Sequence, residues 1–338
     1  MSVPRIIAIE TTKRCNLHCI HCRALAGEGL VPGELATAEI FRLFDELAER
    51  IKPIVILTGG EPLLRADIFD IARRASDLGF HVAMAPNGTL MDESVAQRMV
   101  DSGVQRIGIS LDAASAELHD AFRSMPGAFA GAMQGIAAAR KAGLPFQINT
   151  SVTAFNVEEI PKVHEMAKSL QASGHHIFML VRVGRGRALD AELPPVEQEK
   201  ILNWLYERHR EGLIYVRATC APHYFRILTQ RSGAQGTAAI TRGCTAGDRF
   251  VFISSTGHVQ PCGYLDIDCG DIRKAGFWKI WDESPVLQDL RDENRLHGKC
   301  GICDFRQYCG GCRARAYAAT GDYLAEEPAC LYRPKTGK

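Results

Sequence analysis

Three cysteines stand close together near the start of the chain, Cys15, Cys19 and Cys22 in KRCNLHCIHCRA, at the spacing C-x3-C-x2-C. A cubane iron-sulfur cluster takes four thiolates, so three at this spacing hold three corners and leave one iron open to an outside ligand. An open iron can bind and reduce a small molecule. A zinc knot is the competing reading, with His18 or His21 supplying a nitrogen. Plain burial of small apolar thiols accounts poorly for three within so short a stretch.

A second group lies far downstream. Cys244, Gly257 and Cys262 form C-x12-G-x4-C, Cys300, Cys303, Cys309 and Cys312 form C-x2-C-x5-C-x2-C, and Cys330 closes the series. Zinc-ribbon binding competes with iron-sulfur binding here as well. Between the two groups, polar residues stand at the ends of β-rich runs. Gly59, Gly60 and Glu61 follow one run in TGGEP, Ser110 and Asp112 end another, and Asn149 ends a third. Side chains such as Ser110, Asp112 and Asn149 can hydrogen-bond a ribose hydroxyl, and the plainer alternative is a turn or helix cap.

These residues need a frame to position them. From residue 5 to about residue 182, short β-rich runs alternate with amphipathic segments, the pattern of βα units around a parallel sheet. Six strands are predicted: Arg5–Ile9, Pro53–Leu57, His81–Ala85, Arg106–Leu111, Phe146–Val152 and His176–Val181. Ile40, Leu43, Phe44 and Leu47 recur at helical spacing behind Thr37, the predicted N-cap, and Gly79, Gly103 and Gly143 stand where helices should stop. Six such units make an α/β fold, a partial (β/α)6 TIM-like barrel, whose reactive residues belong at the carboxyl ends of strands. We expect this body over residues 1–190 and a helical connector over 191–215, with Ile201, Leu202 and Leu205 on one face. Residues 216–338, with nine of the twelve cysteines, are expected to form a domain that folds around metal more than around a large apolar core.

The 338 residues carry 40 Lys and Arg against 39 Asp and Glu. That balance leaves no long-range field to draw in nucleic acid or an anionic membrane, so recognition of anions must be local. The N-terminus has no charged leader before a long apolar core, and apolar runs such as Ile54–Leu57 are only strand-length, so no membrane partner is expected. Twelve cysteines without a secretory signal read as reduced thiols in the cytoplasm. Exposed iron-sulfur chemistry also favours an anaerobic setting.

The N-terminal trio, placed just after the apolar run Ile6–Ile9, resembles the cluster loop of the radical S-adenosylmethionine (SAM) superfamily, and TGGEP resembles that superfamily's GGEP motif. The resemblance implies that Gly59, Gly60 and Glu61 meet the amino group of the SAM methionine moiety, with Ser110, Asp112 and Asn149 as further cofactor contacts. The order of the later cysteines resembles the SPASM auxiliary-cluster domain, departing from it at Cys309 and Cys312, where C-x3-C is usual. By that resemblance Cys300, Cys303, Cys309 and Cys330 hold an outer auxiliary cluster, and Cys244, Cys262 and Cys312 an inner one. The fourth inner ligand stays open. Asp248, Arg249 and Phe250 stand where a further cysteine is common, Cys220 is the better substitute, Cys269 is the weaker one, and an iron left open for substrate is the third option. The implied cofactors are SAM and three [4Fe-4S] clusters, one binding SAM and two auxiliary.

Shorter strings narrow the comparison. HCRA at 21–24, EPLLR at 61–65, APNGTL at 85–90, GAF at 127–129, FQINT at 146–150, TCAPHY at 219–224, CGGCRARAY at 309–317 and GDYLAEEP at 321–328 together resemble the heme synthases of the siroheme-dependent route. One departure is Arg182 in LVRVGRG, where proline is expected. The resemblance implies oxidative decarboxylation of two propionates of iron-coproporphyrin III to the vinyl groups of heme b. A 5′-deoxyadenosyl radical takes hydrogen from the propionate β-carbon, carbon dioxide leaves, and an auxiliary cluster accepts the surplus electron. A low-potential donor such as ferredoxin or flavodoxin is the expected electron source. The tetracarboxylate substrate calls for cations, and Arg23, Arg185, His223, Arg226, Arg313 and Arg315 are the candidate substrate contacts, with Arg182 and Arg187 in the same segments. His175, His176 or His223 could offer an axial nitrogen for the heme iron, but a core or loop histidine satisfied by hydrogen bonds is the preferred reading. The rivals are a sister radical SAM enzyme acting on a siroheme derivative, a SPASM peptide maturase and, outside enzymes, a zinc-binding structural module.

Overall fold

The computed structural model describes residues 2–29, 31–232 and 243–334. Of the expected C-terminal domain, residues 233–242 and 335–338 lie outside the described residues. Seven parallel strands follow one another in sequence order: β1 (Ile6–Glu10), β2 (Ile54–Thr58), β3 (His81–Met84), β4 (Val104–Ser110), β5 (Phe146–Val152), β6 (Gly174–Met179) and β7 (Tyr215–Thr219). β8 (Phe250–Ile253) then pairs parallel to β1, and β9 (Val259–Gln260) pairs antiparallel to β8. The sheet does not close, and β7 and β9 are its edges. Six strands were predicted. The seventh begins where the connector was expected to end, and β8 joins the cysteine-rich part of the chain to the first strand of the barrel.

β1 reads IIAIE and is buried from Ile7 to Glu10, as an interior parallel strand must be. The helices are α1 (Thr37–Ala48), α2 (Ile68–Asp77), α3 (Glu93–Asp101), α4 (Ala116–Arg123), α5 (Ala128–Lys141), α6 (Ile160–Ser169), α7 (Pro195–Glu211) and α8 (His223–Ser232). In α1 the predicted stripe Ile40, Leu43, Phe44 and Leu47 is the buried face. Its cap differs from the expectation. Ala36 is the N-cap and receives the Glu39 carboxylate on its own N–H at 2.7 Å, while the Thr37 hydroxyl is drawn to Asp67. Gly103 follows α3 at φ +82°, where a Cβ would also come within 2.2 Å of Ser76 Oγ, so both backbone and space demand glycine.

One apolar core runs between sheet and helices from Ile7 to Leu287, with a satellite of Ile177, Leu202, Leu205 and Val216 where α7 covers β6 and β7. Residues 250–291 lean on this core. Phe277 and Trp281 are fully buried in it, Trp281 Nε1 donates to Ser2 O at 2.9 Å, and Trp278 Nε1 donates to Glu46 O at 2.8 Å. Residues 296–334 are different: among the described residues Leu296 is the one bulky aliphatic side chain buried there, beside alanines and thiols. The lack of a large apolar core is therefore a property of this last stretch and not of the whole C-terminal region. No helix among the described residues is long and apolar enough to cross a membrane.

Candidate active site

Cys15, Cys19 and Cys22 sit on the loop leaving β1 and pack together among Leu17, Ala24, Ala26 and Ala128. The loop is clamped from three sides. Gly60 N donates to Thr12 O and Glu61 N to Arg14 O, both at 2.7 Å. A Cβ on Gly59 would lie 2.3 Å from Thr12 O, and one on Gly60 2.3 Å from Arg14 O, so the glycines let the turn after β2 lie flat against the cysteine loop. From the segment Gly184–Ala188 after β6, Arg185 donates through Nε to Cys19 O and through Nη1 to Ala26 O, both at 2.8 Å, and its own amide reaches Cys22 O at 2.9 Å. Asn16 donates to Thr89 Oγ1 and accepts from Asn87 Nδ2, each at 2.8 Å. Burial pushes the Cys15 thiol up to about 11, so loading this loop with metal must release protons.

Glu61 is fully buried, and its carboxylate accepts from Leu63 N at 3.0 Å and Asn87 N at 2.6 Å. Burial raises it to about 7 against the pull of those two amides. Ser110 and Asn149 are register partners on β4 and β5. Both lie on the sheet face opposite Ile109 and Ile148, which point into the helix-covered core. Asp112 goes elsewhere. It is completely buried, paired with Arg123 from α4, and accepts from Ser151 N at 2.8 Å, while its amide donates to His119 Nδ1 at 3.1 Å. Burial opposes its charge, yet the Arg123 guanidinium and His21 hold the carboxyl below the usual range. Arg123 in turn reaches Cys19 Sγ at 3.6 Å, so Asp112 bears on the cysteine loop through Arg123.

The later thiols form two sets. Cys220, Cys244, Cys262 and Cys312 are close enough to shift one another's ionisation, with a thiol hydrogen bond between Cys220 and Cys312. Cys269 stands apart, beside Asp268 and Ser284. Cys300, Cys303, Cys309 and Cys330 line a single cavity together with Arg226, Lys299, Arg306 and Tyr332. Amides aim at most of these sulfurs. The N–H two residues on donates to Cys15 at 3.4 Å, Cys303 at 3.4 Å and Cys309 at 3.3 Å, and likewise to Cys244, Cys262 and Cys330, while Glu327 N serves Cys300 at 3.3 Å. Such N–H···S contacts stabilise thiolates and are one of the means by which proteins set cluster potentials. Among the described residues no three His, Cys, Asp or Glu side chains converge on a point where a single ion would sit. The outer thiols ring a void, and the donor set fits iron-sulfur clusters.

Two residues lie between the N-terminal trio and the inner set. Arg23, next to Cys22, stacks over Phe252 at 4.4 Å, pairs with Glu10 at 3.6 Å and donates to Gly263 O at 3.3 Å, one residue from Cys262. Tyr264 is packed against Cys220, Cys262 and Cys312, with Cys22 and Arg23 also near; burial holds its phenol protonated. Other candidate substrate contacts are engaged by the protein itself. Arg313 donates to Tyr323 O at 3.0 Å and Ala325 O at 2.6 Å, and Arg315 is shared by Glu192 at 3.1 Å, Glu327 at 3.3 Å and Leu180 O at 3.1 Å. Arg226 pairs with Glu199 at 2.5 Å. His223 is fully buried, with neither ring nitrogen hydrogen-bonded among the described residues, and burial lowers it to about 4. His175 bonds Thr150 at 2.9 Å and His176 bonds Gln147 at 3.0 Å.

Residues 9–169 match the family described as the Radical SAM superfamily, and residues 244–312 match an iron-sulfur cluster-binding domain, SPASM. This is a radical SAM enzyme that uses SAM with a [4Fe-4S] cluster and carries auxiliary iron-sulfur clusters in its C-terminal part. It is 50% identical to the AdoMet-dependent heme synthase of Methanosarcina barkeri over 98% of each chain, and 45% identical to that of Nitratidesulfovibrio vulgaris over 98% of this chain and 93% of the other. The chain belongs to the AdoMet-dependent heme synthase family. In fold it is similar to Streptococcus suis SuiB bound to S-adenosylmethionine, with a TM-score of 0.78 at 15% identity over 98% of this chain and 78% of that one.

Proposed function

We propose that the enzyme oxidatively decarboxylates two propionates of iron-coproporphyrin III to vinyl groups, giving heme b. The observation that carries this reading is the placement of Arg23 and Tyr264 between an open three-thiol loop and a four-thiol set. A radical source and an electron acceptor then face one substrate space, which an oxidative decarboxylation requires. Cys15, Cys19 and Cys22 would hold the SAM cluster, Cys220, Cys244, Cys262 and Cys312 the inner auxiliary cluster, and Cys300, Cys303, Cys309 and Cys330 the outer one. Bound SAM and its cluster would supply the radical that takes a hydrogen atom from the propionate β-carbon.

The chain's own residues orient and exclude. Ser110 and Asn149, side by side on the lumen face, would receive the SAM ribose, and the turn Gly59–Gly60–Glu61 its methionine end. Asp112 serves this site by fixing Arg123 on Cys19. Substrate carboxylates would meet the exposed Arg182 and Arg187 beyond β6 and the half-buried Arg23, while Arg185, Arg226, Arg313 and Arg315 keep the loops in place. A ferredoxin or flavodoxin would supply electrons, and the twelve free cysteines suit the reducing cytoplasm.

Anaerobic incubation of the reconstituted enzyme with SAM, a strong reductant and iron-coproporphyrin III tests the proposal. Heme b, 5′-deoxyadenosine and carbon dioxide should appear together. SAM cleavage with the porphyrin unchanged would move the reading to a sister tetrapyrrole enzyme, and zinc without sulfide in the purified protein would remove the radical chemistry altogether.

A further inference from the structure

The outer thiol cavity is lined by more positive charge than its contacts within the protein consume. Among the described residues, Arg226, Lys299 and Arg306 line it beside the four thiols and a single carboxylate, Glu327, and Arg313 Nη2 approaches Cys300 Sγ at 3.9 Å. Arg226 is 5% exposed; its two Nη atoms reach Gln230 at 2.9 Å and Glu199 at 2.5 Å, but its Nε has no partner among the described residues. Arg306 repeats the pattern, with Nη1 on Gly301 O at 2.7 Å and a buried Nε without a partner. A buried N–H donor left unpaired is costly, so two of them on residues that line one cavity point to an acceptor in that cavity. An iron-sulfur cluster in thiolate ligation offers sulfur acceptors and a net negative charge that grows on reduction.

The inner set is built differently. Glu327 bears on both sets, lining the outer cavity while its carboxylate accepts from Cys312 N at 2.7 Å, and the buried cation beside Cys220 and Cys312, Arg315, is already shared by Glu327 and Glu192. With that carboxylate common to both, the sets differ in their cations: Arg226, Lys299 and Arg306 line the outer thiols, and guanidinium donors there favour an added electron.

We propose that Arg226 and Arg306 donate their Nε–H groups to the outer auxiliary cluster and raise its reduction potential above that of the inner one. An electron reaching the inner cluster then moves outward, the inner cluster being oxidised and the outer reduced by one electron each. The inference rests on the outer four thiols holding a cluster.

Redox titration followed by electron paramagnetic resonance tests it on the full-length chain carrying Cys15→Ala, Cys19→Ala and Cys22→Ala, where only auxiliary signals remain. Adding Cys303→Ala identifies the outer signal by its loss. The outer potential should be the higher of the two. Arg226→Gln and Arg306→Gln should each lower it and leave the inner one in place; a tenfold change in how the electron partitions corresponds to about 59 mV. Arg226→Lys, which keeps the charge but not the Nε–H, should recover part of the shift. Arginine labelled with 15N should show hyperfine coupling to the reduced outer cluster that weakens in either Gln variant. An outer potential at or below the inner one, or one unmoved in Arg306→Gln and Arg226→Lys with iron retained, overturns the inference. Iron and sulfide for a single auxiliary cluster overturn the thiol assignment, and the inference with it, whereas two clusters with unmoved potentials overturn the inference alone. Should Arg226→Gln lose iron, Arg306→Gln and Arg226→Lys carry the test.

Discussion

Cys15, Cys19 and Cys22 ride on a loop clamped to an apolar barrel, by the turn after β2 on one side and by Arg185 on another. Cys300, Cys303, Cys309 and Cys330 belong to a stretch whose buried side chains are chiefly alanines, thiols and arginines. The first region is held by hydrogen bonds to the barrel around it; the second buries few apolar side chains of its own. A three-thiol site that must leave an iron open gains from a rigid frame, because an unfilled position invites a protein donor to swing in. A four-thiol site closes on its own cluster and can take its order from it.

The contrast can be broken by experiment. Cys19→Ala should abolish SAM cleavage, whereas Cys303→Ala should leave part of it and impair vinyl formation; equal 5′-deoxyadenosine release by the two variants would erase the division of labour. Removing iron with a chelator should leave the amides of β1 to β7 protected from hydrogen exchange while residues 296–334 lose protection. Uniform loss across both regions would show that the barrel too depends on metal.

Smaller effects sharpen the picture of the clamped region. Asp112→Asn leaves the buried Arg123 charge without its carboxylate and should destabilise the enzyme by about 3–5 kcal/mol in denaturant titrations, as for other broken buried pairs. A cost below about 1 kcal/mol would mean that the pair does not hold the loop. The mildest effect follows from pH. His175 is neutral in the fold because burial lowers it from 6.5 to about 3. The unfolded chain therefore binds the extra proton, so this contribution is whole above pH 6.5 and is lost as pH falls toward 3. At pH 5.5 it should cost about 1.4 kcal/mol, and His175→Gln should flatten the acid limb of the thermal stability curve by that amount.

Much of this was legible in the chain. Cysteine spacing singles out thiols that the fold brings together, Cys15, Cys19 and Cys22 in one place and Cys300, Cys303 and Cys309 with Cys330 in another, and Cys220, a lone cysteine in sequence, is gathered with Cys262 and Cys312. Period-two and helical patterns give the barrel strands and the α1 stripe because burial follows the same period. Arg123 gave no local signal: on an amphipathic helix one arginine resembles any other, and only the approach of α4 to Asp112 singles it out. Arg313 and Arg315 were readable as cations but not as internal ones, since the carbonyls and carboxylates they meet come from distant segments. Thr37 missed the cap by one residue because Glu39 can close on the Ala36 amide unaided. Tyr264 stood unnoticed two residues beyond Cys262, where the turn that bonds the sulfur also carries the phenol toward Cys22.

The pairing of β8 with β1 sets an order of events in the cell. Ile6 is made long before its partner Phe250, which leaves the ribosome only after β1 to β7 have been synthesised. Until then β1 presents IIAIE with one edge unpaired, the kind of apolar strand edge that recruits other chains. Productive folding is thus a race between the arrival of β8 and capture by a neighbour, and a chain cut short before residue 250 should form a barrel that aggregates through its first strand.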